Sequence, residues 1–375
     1  MITIRPGSHV LRLLQLISTA GEIPISALSL LGSDRALMAL VRKLETIQDV
    51  RFDKDGLVYH VKLLQMSGKR GHRTIRLYEK GLTVLDGLYP GLYDWYMAAT
   101  GGQHFTGDPF RINRNHRVAE VLAACMAAGV EIRPYALPKL QKDIISKIVP
   151  DSPCFYIARD MKNISGEANK TMYTRITGAL FYPGGVYAVY NTRGSVMKWS
   201  GVGEVKAAAN LLELASMNAG LGKVGSAILF GQCADIALNT ILESDKSRRR
   251  ELRFDRVYNH IYFLPLYSNG IRLLKLLVLP DWNERLLTAL FHNSQRSYNK
   301  GVMEYDAIID NRIILSHLDG DIARLIRFRE ALYSHTGQAD VLCFPWQTGY
   351  LKSYLGDLVQ IRELGMDAVE SALGG

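Results

Sequence analysis

A cluster of basic residues and glycines lies between two apolar runs, in the segment "SGKRGHRT" at residues 67–74. The segment carries four cationic or titratable side chains: Lys69, Arg70, His72 and Arg73. Side chains of these types bind phosphate oxygens through charge-assisted hydrogen bonds. Gly68 and Gly71 permit the tight backbone turn of a β-hairpin. The segment therefore predicts a hairpin tip that contacts phosphates, and the alternative is a solvated tip whose charge serves solubility.

Three predicted helices precede this hairpin. Apolar spacing, capping residues and glycine stops give helices over residues 8–21, 24–32 and 33–46. The polar face of the third helix offers four side chains to base edges or phosphates: Arg35, Met38, Arg42 and Lys43. Three helices followed by a hairpin is the order of a winged helix-turn-helix, whose third helix enters the major groove. We therefore predict a winged helix-turn-helix DNA-binding domain over residues 1–100, with a protein-interaction module as the alternative.

The charge distribution favours an anionic partner. The chain has 375 residues and a net charge of +9, with a pI near 9.2. Residues 1–90 hold 13 lysines and arginines against 8 aspartates and glutamates, so a net charge of +5 falls in this first quarter. Residues 244–256 form a second basic segment and a candidate second phosphate patch. Its acidic neighbours favour a salt-bridged surface loop instead.

Strands that alternate with helices are predicted from about residue 153 onward. This alternation is typical of a mixed sheet with helices packed on it. Residues 101–117 are rich in turn formers and predict a linker. Residues 118–375 are then a mixed-sheet α/β domain for docking or oligomerisation. The predicted fold class of the whole chain is α+β or α/β.

Glu204 and Lys206 are the candidates for nuclease chemistry, because "EVK" follows a predicted strand hairpin as in PD-(D/E)xK nucleases. Such sites need two or three carboxylates to hold Mg²⁺ and a lysine beside the attacked phosphate. No acidic residue occurs between residues 168 and 203, where the first carboxylate is needed. We therefore favour a degenerate nuclease-like scaffold that binds without a metal, and keep an active nuclease as the alternative.

Other catalytic classes lack their motifs. The nine histidines form no HxH pair for a relaxase metal, and the sequence has no GxxxxGK[ST] loop for ATP hydrolysis. Asp319 and Asp321 are predicted to cap the helix that follows them. The four cysteines are scattered, which fits a reducing cytosol and no zinc site. We expect no cofactor.

We also expect a cytoplasmic protein without a membrane partner. Arg5 and Arg12 interrupt the first apolar run, so it does not have the pattern of a signal peptide. No uncharged apolar run approaches the ~20 residues that a membrane helix needs.

Two stretches resemble the replication-relaxation family of plasmids and integrative conjugative elements. They are "RTIRLYEKGLTVL", which ends the winged-helix pattern, and "RITGALFYPGGVYAVYNTRGSVMKWSGVGEVKAAANLL", which is similar to the family's central hairpin, tryptophan and helix. The whole winged-helix pattern and the second stretch together cover about a third of the chain. The resemblance implies a DNA-docking or DNA-processing role in plasmid replication or in DNA relaxation during mobilisation. It implies no catalytic mechanism.

These observations predict a non-enzymatic DNA-binding accessory protein of a mobile genetic element, either a plasmid or a conjugative transposon. The winged helix would bind duplex DNA near a transfer or replication origin. The second domain would dock a relaxase, a replication protein or a second copy of the chain, and a homodimer would suit paired half-sites. The alternatives are the Mg²⁺-dependent nuclease and a transcription regulator whose α/β domain senses a ligand.

Overall fold

The structure is a computed structural model, and it describes residues 1–52, 58–69, 72–100, 107–132, 152–164, 175–197, 201–219, 224–246, 253–297 and 303–374. The fold is mixed α+β: about half of the described residues are helical, and the strands form several mixed sheets. The chain divides into two compact units. The first is Met1–Lys139 with Cys154–Ile164, and the second is Leu140–Pro153 with Ser165–Gly375.

These units divide the chain differently from the predicted boundaries at residues 100 and 117. Residues 109–117, expected in a linker, belong to a helix of the first unit. The side chain of Asn115 donates hydrogen bonds to the carbonyl oxygens of Ala20 (2.8 Å) and Glu22 (3.2 Å). His116 lies 2.9 Å from the Glu22 carboxylate. These contacts hold the segment against the end of the first helix.

The first unit contains seven helices and eight strands among its described residues. In chain order they are β1 (Ile2–Ile4), α1 (His9–Ala20), β2 (Ile23–Pro24), α2 (Leu28–Leu31), α3 (Asp34–Leu44), β3 (Gln48–Phe52), β4 (Val58–Val61), β5 (Leu64–Ser67), β6 (Thr74–Leu77), α4 (Glu79–Leu88), α5 (Pro90–Thr100), α6 (Pro109–Ala127), β7 (Glu131–Ile132), β8 (Cys154–Ile157) and α7 (Ala158–Ile164). A short 3₁₀ helix, Ile25–Ala27, precedes α2.

Helix α1 is the centre of this unit. Ser8 caps its amino end by accepting a hydrogen bond from the Leu11 amide, and Gly21 ends it at φ +79°. Leu13, Leu16 and Ile17 are fully buried, since α1 packs against α5, α6 and β6. The predicted helix is confirmed, and its burial on most sides accounts for its apolar sequence.

The chain between α3 and α4 contributes to two small sheets, where the sequence predicts a single hairpin. The first sheet has the order β1-β3-β4, and the second has the order β2-β6-β5. The chain leaves the first sheet at Leu63, whose amide donates to the Leu44 carbonyl and whose carbonyl accepts from the Tyr78 amide. Residues 53–57, between β3 and β4, lie outside the described residues.

The second unit alternates strands and helices. Its described elements are β9 (Gly178–Tyr182), β10 (Gly185–Arg193), α8 (Val202–Ala219), β11 (Ser226–Gly231), α9 (Asp235–Asp245), α10 (Phe254–Val257), β12 (His260–Pro265), α11 (Ser268–Leu277), α12 (Trp282–Leu290), β13 (Ala307–Ile309), β14 (Arg312–Ser316), α13 (Ile322–Leu332), β15 (Ala339–Cys343), α14 (Thr348–Leu355), β16 (Gln360–Glu363) and α15 (Met366–Ala372).

Two groups of parallel strands organise this unit. β10, β11 and β12 are parallel, and β9 pairs with β10 as an antiparallel hairpin. β14, β15 and β16 are also parallel, with β13 antiparallel at the edge. Helices lie between consecutive parallel strands along the chain, which agrees with the predicted alternation of strands and helices.

One predicted strand of the second unit is wrong. The run "IRLLKLLVLP" is helical, because it forms most of α11. Leu273, Leu274 and Leu277 are buried at helical spacing, and α11 packs on β12. Gly270 allows this close packing, since a β-carbon there would lie 1.9 Å from the Pro265 carbonyl oxygen.

Candidate nucleic-acid interface

The third helix has the two faces that its sequence predicts. Leu37, Val41 and Leu44 are buried against the first unit. The four side chains predicted to contact base edges or phosphates lie on the opposite face. Arg35, Arg42 and Lys43 are exposed, and Met38 is half-buried. Cations at the last turn also complement the helix dipole, so Arg42 and Lys43 have a local stabilising role as well.

Both ends of α3 are fixed by hydrogen bonds. Ser33 caps the amino end by accepting from the Ala36 amide at 3.4 Å. At the other end, the Glu45 carboxylate accepts a hydrogen bond from the Met66 amide of β5 at 2.7 Å. This contact ties the end of α3 to the first strand of the hairpin. The exposed basic face therefore has a fixed position relative to β5.

The basic hairpin tip is built on β5 and β6. Ser67 pairs with Thr74 in register, and their hydroxyl oxygens lie 3.1 Å apart. Gly68 adopts φ +93°, and a β-carbon at this position would lie 2.5 Å from the His72 carbonyl oxygen. The turn thus requires glycine.

The predicted tip cations are exposed where the structure describes them. Lys69, His72 and Arg73 all face solvent. The His72 amide donates to the Lys69 carbonyl at 2.9 Å, which closes the turn. Arg70 lies outside the described residues. The tip and the α3 face are two exposed basic surfaces of one compact unit.

The two residues of the candidate nuclease pair lie on one helix, α8, and Glu204 has an arginine partner. Glu204 is only 1% exposed in the first turn of α8, and its carboxylate accepts a hydrogen bond from Arg175 at 2.9 Å. Lys206 lies on the same helix and is exposed. In the part of the chain that the structure describes, no group of three His, Cys, Asp or Glu side chains could hold a metal ion. This placement favours a structural role for Glu204.

The second basic segment is only partly described, since residues 247–252 lie outside. Arg253 is buried, where it donates to both carboxylate oxygens of Asp255 and to Glu330, each at 2.9 Å. Lys246 pairs with Glu243 at 3.1 Å. These two cations are bound by carboxylates of the same unit. The salt-bridged interpretation fits them better than a phosphate patch does.

A buried cluster around α13 was only partly visible in the sequence. Asp321 caps α13 as predicted, by accepting hydrogen bonds from the amides of Ala323 and Arg324. Its other oxygen lies 2.7 Å from His260 Nδ1 on β12. Burial opposes protonation of His260, but the Asp321 carboxylate outweighs it and raises the His260 pKa. The sequence motif "DGD" was enough to predict the helix cap. The histidine that pairs with Asp321 lies on β12, which is distant in the sequence.

Comparison with known proteins gives no match to a protein family, to a curated protein or to a solved structure. The resemblance to the replication-relaxation family stays a prediction. Among the described residues, no helix is both long and apolar enough to span a membrane.

Proposed function

We propose that this chain is a DNA-binding accessory protein of a mobile genetic element, and that its first unit is a winged helix. The connectivity supports the winged helix. A short strand, β2, follows α1 and pairs with β6, which pairs with β5, and α2 and α3 lie between β2 and the hairpin. The β3–β4 hairpin is an insertion between α3 and β5, and it pairs with β1.

The observation that carries the DNA proposal is the exposed basic face of α3 beside the basic hairpin tip. The 11 residues of α3 span roughly 16 Å at 1.5 Å per residue. A helix of this kind fits the B-DNA major groove, which is about 12 Å wide. In the proposed complex, Arg35, Met38 and Arg42 reach base edges, while Lys69 and Arg73 contact phosphates.

The remaining parts of the proposal rest on the resemblance and on general chemistry. A plasmid or conjugative element is proposed because of the two stretches similar to the replication-relaxation family. The second unit is proposed to dock a relaxase, a replication protein or a second copy of the chain. Its described arginines and acids pair with each other in several places, as at Arg253 and Asp255. This pairing suits a protein-docking unit better than a second phosphate-binding one.

Fluorescence anisotropy tests the proposal, with a labelled duplex from the element's own intergenic DNA beside a scrambled duplex. Salt is titrated for the wild type, for Lys69→Ala with Arg73→Ala, and for Arg35→Ala. Each lost phosphate contact should reduce the steepness of the log Kd against log salt plot by about 0.9. The double variant should therefore weaken binding to both duplexes, whereas Arg35→Ala should weaken discrimination between them.

Lys275→Ala with Lys352→Ala is the matched control, because it also removes two exposed cations, here from the second unit. It should leave affinity and the salt dependence unchanged. If the wild type binds neither duplex at low salt, the duplex-DNA proposal is wrong. If this control weakens binding as much as the tip variant, the effect comes from total charge and the proposed interface is wrong.

A further inference from the structure

A cavity of about 270 Å³ lies in the first unit, away from the α3 face residues and the hairpin tip. One wall is the face of α6 that carries Arg111, Arg114 and Val118, which recur at helical spacing. The other wall is the junction of β8 and α7, with Ile157 and Arg159. None of the described lining residues is acidic. Three arginine residues therefore line one concave site that also has an apolar surface.

Arg159 is held in place by an aromatic ring. Its guanidinium carbon lies 4.5 Å from the centre of the Trp95 ring. The Trp95 indole N–H donates to the Asp160 carboxylate at 3.1 Å, which fixes the ring. The Nε atom of Arg159 is buried and has no hydrogen-bond partner within the described residues.

Two of the three arginines that line the cavity, Arg114 and Arg159, are half-buried. Burial lowers the pKa of both Arg114 and Arg159, because it removes water from the charged guanidinium groups. The carboxyl of Asp160 interacts with the neighbouring Arg159, and burial raises the pKa of Asp160 to about 7. Asp108 lies 3.8 Å from Arg111, but both of these side chains are largely exposed. An anion in the cavity would offset the cost of burying these cations.

We propose that this cavity binds a phosphate monoester on a small organic group, such as a mononucleotide or the phosphorylated end of a DNA strand. Guanidinium groups match the oxygens of a phosphate in paired hydrogen bonds. The apolar surface of Val118 and Ile157 contacts the organic group. The volume is near the lower end of small-molecule sites, about 300–1,000 Å³, which suits a ligand of this size.

Isothermal titration calorimetry on the full chain tests the site with adenosine monophosphate, adenosine and inorganic phosphate. A short oligonucleotide with a terminal phosphate, and the same oligonucleotide with a terminal hydroxyl, separate the two sources of the monoester. Binding of adenosine monophosphate identifies a free nucleotide as sufficient. Binding of the phosphorylated oligonucleotide alone identifies a strand end.

Three variants probe the cavity itself. Arg114→Gln and Arg159→Gln should each weaken binding about 10- to 100-fold, because each removes a charge-assisted hydrogen bond. Val118→Phe fills the apolar side without a change in charge, so it should weaken the monoester more than inorganic phosphate. This variant keeps the test decisive if an arginine variant fails to fold. Arg51→Gln, which removes an exposed guanidinium on β3 of the same unit, is the control.

Three results would overturn the proposal: no binding of any phosphate probe, equal affinity for adenosine and adenosine monophosphate, or an equal loss in Arg51→Gln. The inference is independent of the duplex-DNA proposal. A protein that binds the monoester but no duplex retains this site and loses the winged-helix function. A protein that binds the duplex but no monoester gives the opposite result.

Discussion

Asp319→Asn should stabilise the protein at neutral and alkaline pH. Asp319 lies between β14 and α13, is only 6% exposed and accepts a hydrogen bond from the Asp321 amide at 3.0 Å. Burial raises the pKa of Asp319 to about 7, and the negative charges of Asp321 and Asp306 act in the same direction against Arg324. An asparagine cannot ionise, yet its amide oxygen can still accept the Asp321 hydrogen bond.

The magnitude follows from the difference in proton binding. Between the ordinary pKa of 3.8 and about 7, the folded state holds a proton on Asp319 that the unfolded state releases. Stability of the wild type therefore falls as pH rises through this window, by about 1.4 kcal/mol for each pH unit. The free-energy difference between variant and wild type should grow by roughly 2 kcal/mol from pH 5 to pH 7, and level off above about pH 8.

Urea unfolding at pH 5, 7 and 8, followed by far-ultraviolet circular dichroism, measures this difference. Asp310→Asn removes an exposed carboxyl from the turn between β13 and β14 and controls for the loss of one negative charge. The reasoning is refuted if the Asp319→Asn difference is the same at pH 5 and pH 7. A variant less stable than the wild type at pH 8 would show that the carboxylate itself is needed.

Two further substitutions test the helix and the turn of the proposed interface. Leu37→Ala should cost about 2–5 kcal/mol of unfolding free energy, because it opens a cavity under α3. Arg42→Ala on the exposed face should change stability by no more than about 0.5 kcal/mol in the same urea titration, and equal losses would contradict the two-faced helix. Gly68→Ala should cost about 1–3 kcal/mol and lower the thermal midpoint, because the turn requires positive φ. An unchanged midpoint would show that the tip tolerates another backbone conformation.

The helices that the sequence predicts well are those with local signals. Ser8 and Gly21 bound α1, and Ser33 begins α3, so caps and apolar spacing sufficed. The strands between α3 and α4 depend on distant partners. Leu63 bonds to Leu44 and to Tyr78, and nothing in the local pattern separates β4 from β5 there.

The functional residues follow the same division between local and distant signals. The buried and exposed faces of α3 could be predicted from the helical spacing of its apolar residues, and the basic hairpin tip could be predicted from its composition. The arginine cavity could not be predicted in this way, because Arg159 lies in the first turn of α7, more than 30 residues after the end of α6. Leu-rich α11 shows the limit of periodicity, since a short apolar run fits both a helix and a buried strand.

The placement of the cations, more than the net charge of +9, indicates where an external anion can bind. In the second unit, Arg253, Arg272 and Arg324 are each paired with carboxylates of that unit. A charge that is already paired adds little attraction for a phosphate, and breaking such a pair when it is buried costs stability. The first unit instead exposes Arg35 and Lys69 on surfaces that need no internal partner. The two proposals, for a duplex and for a phosphate monoester, therefore both place phosphate recognition in the first unit.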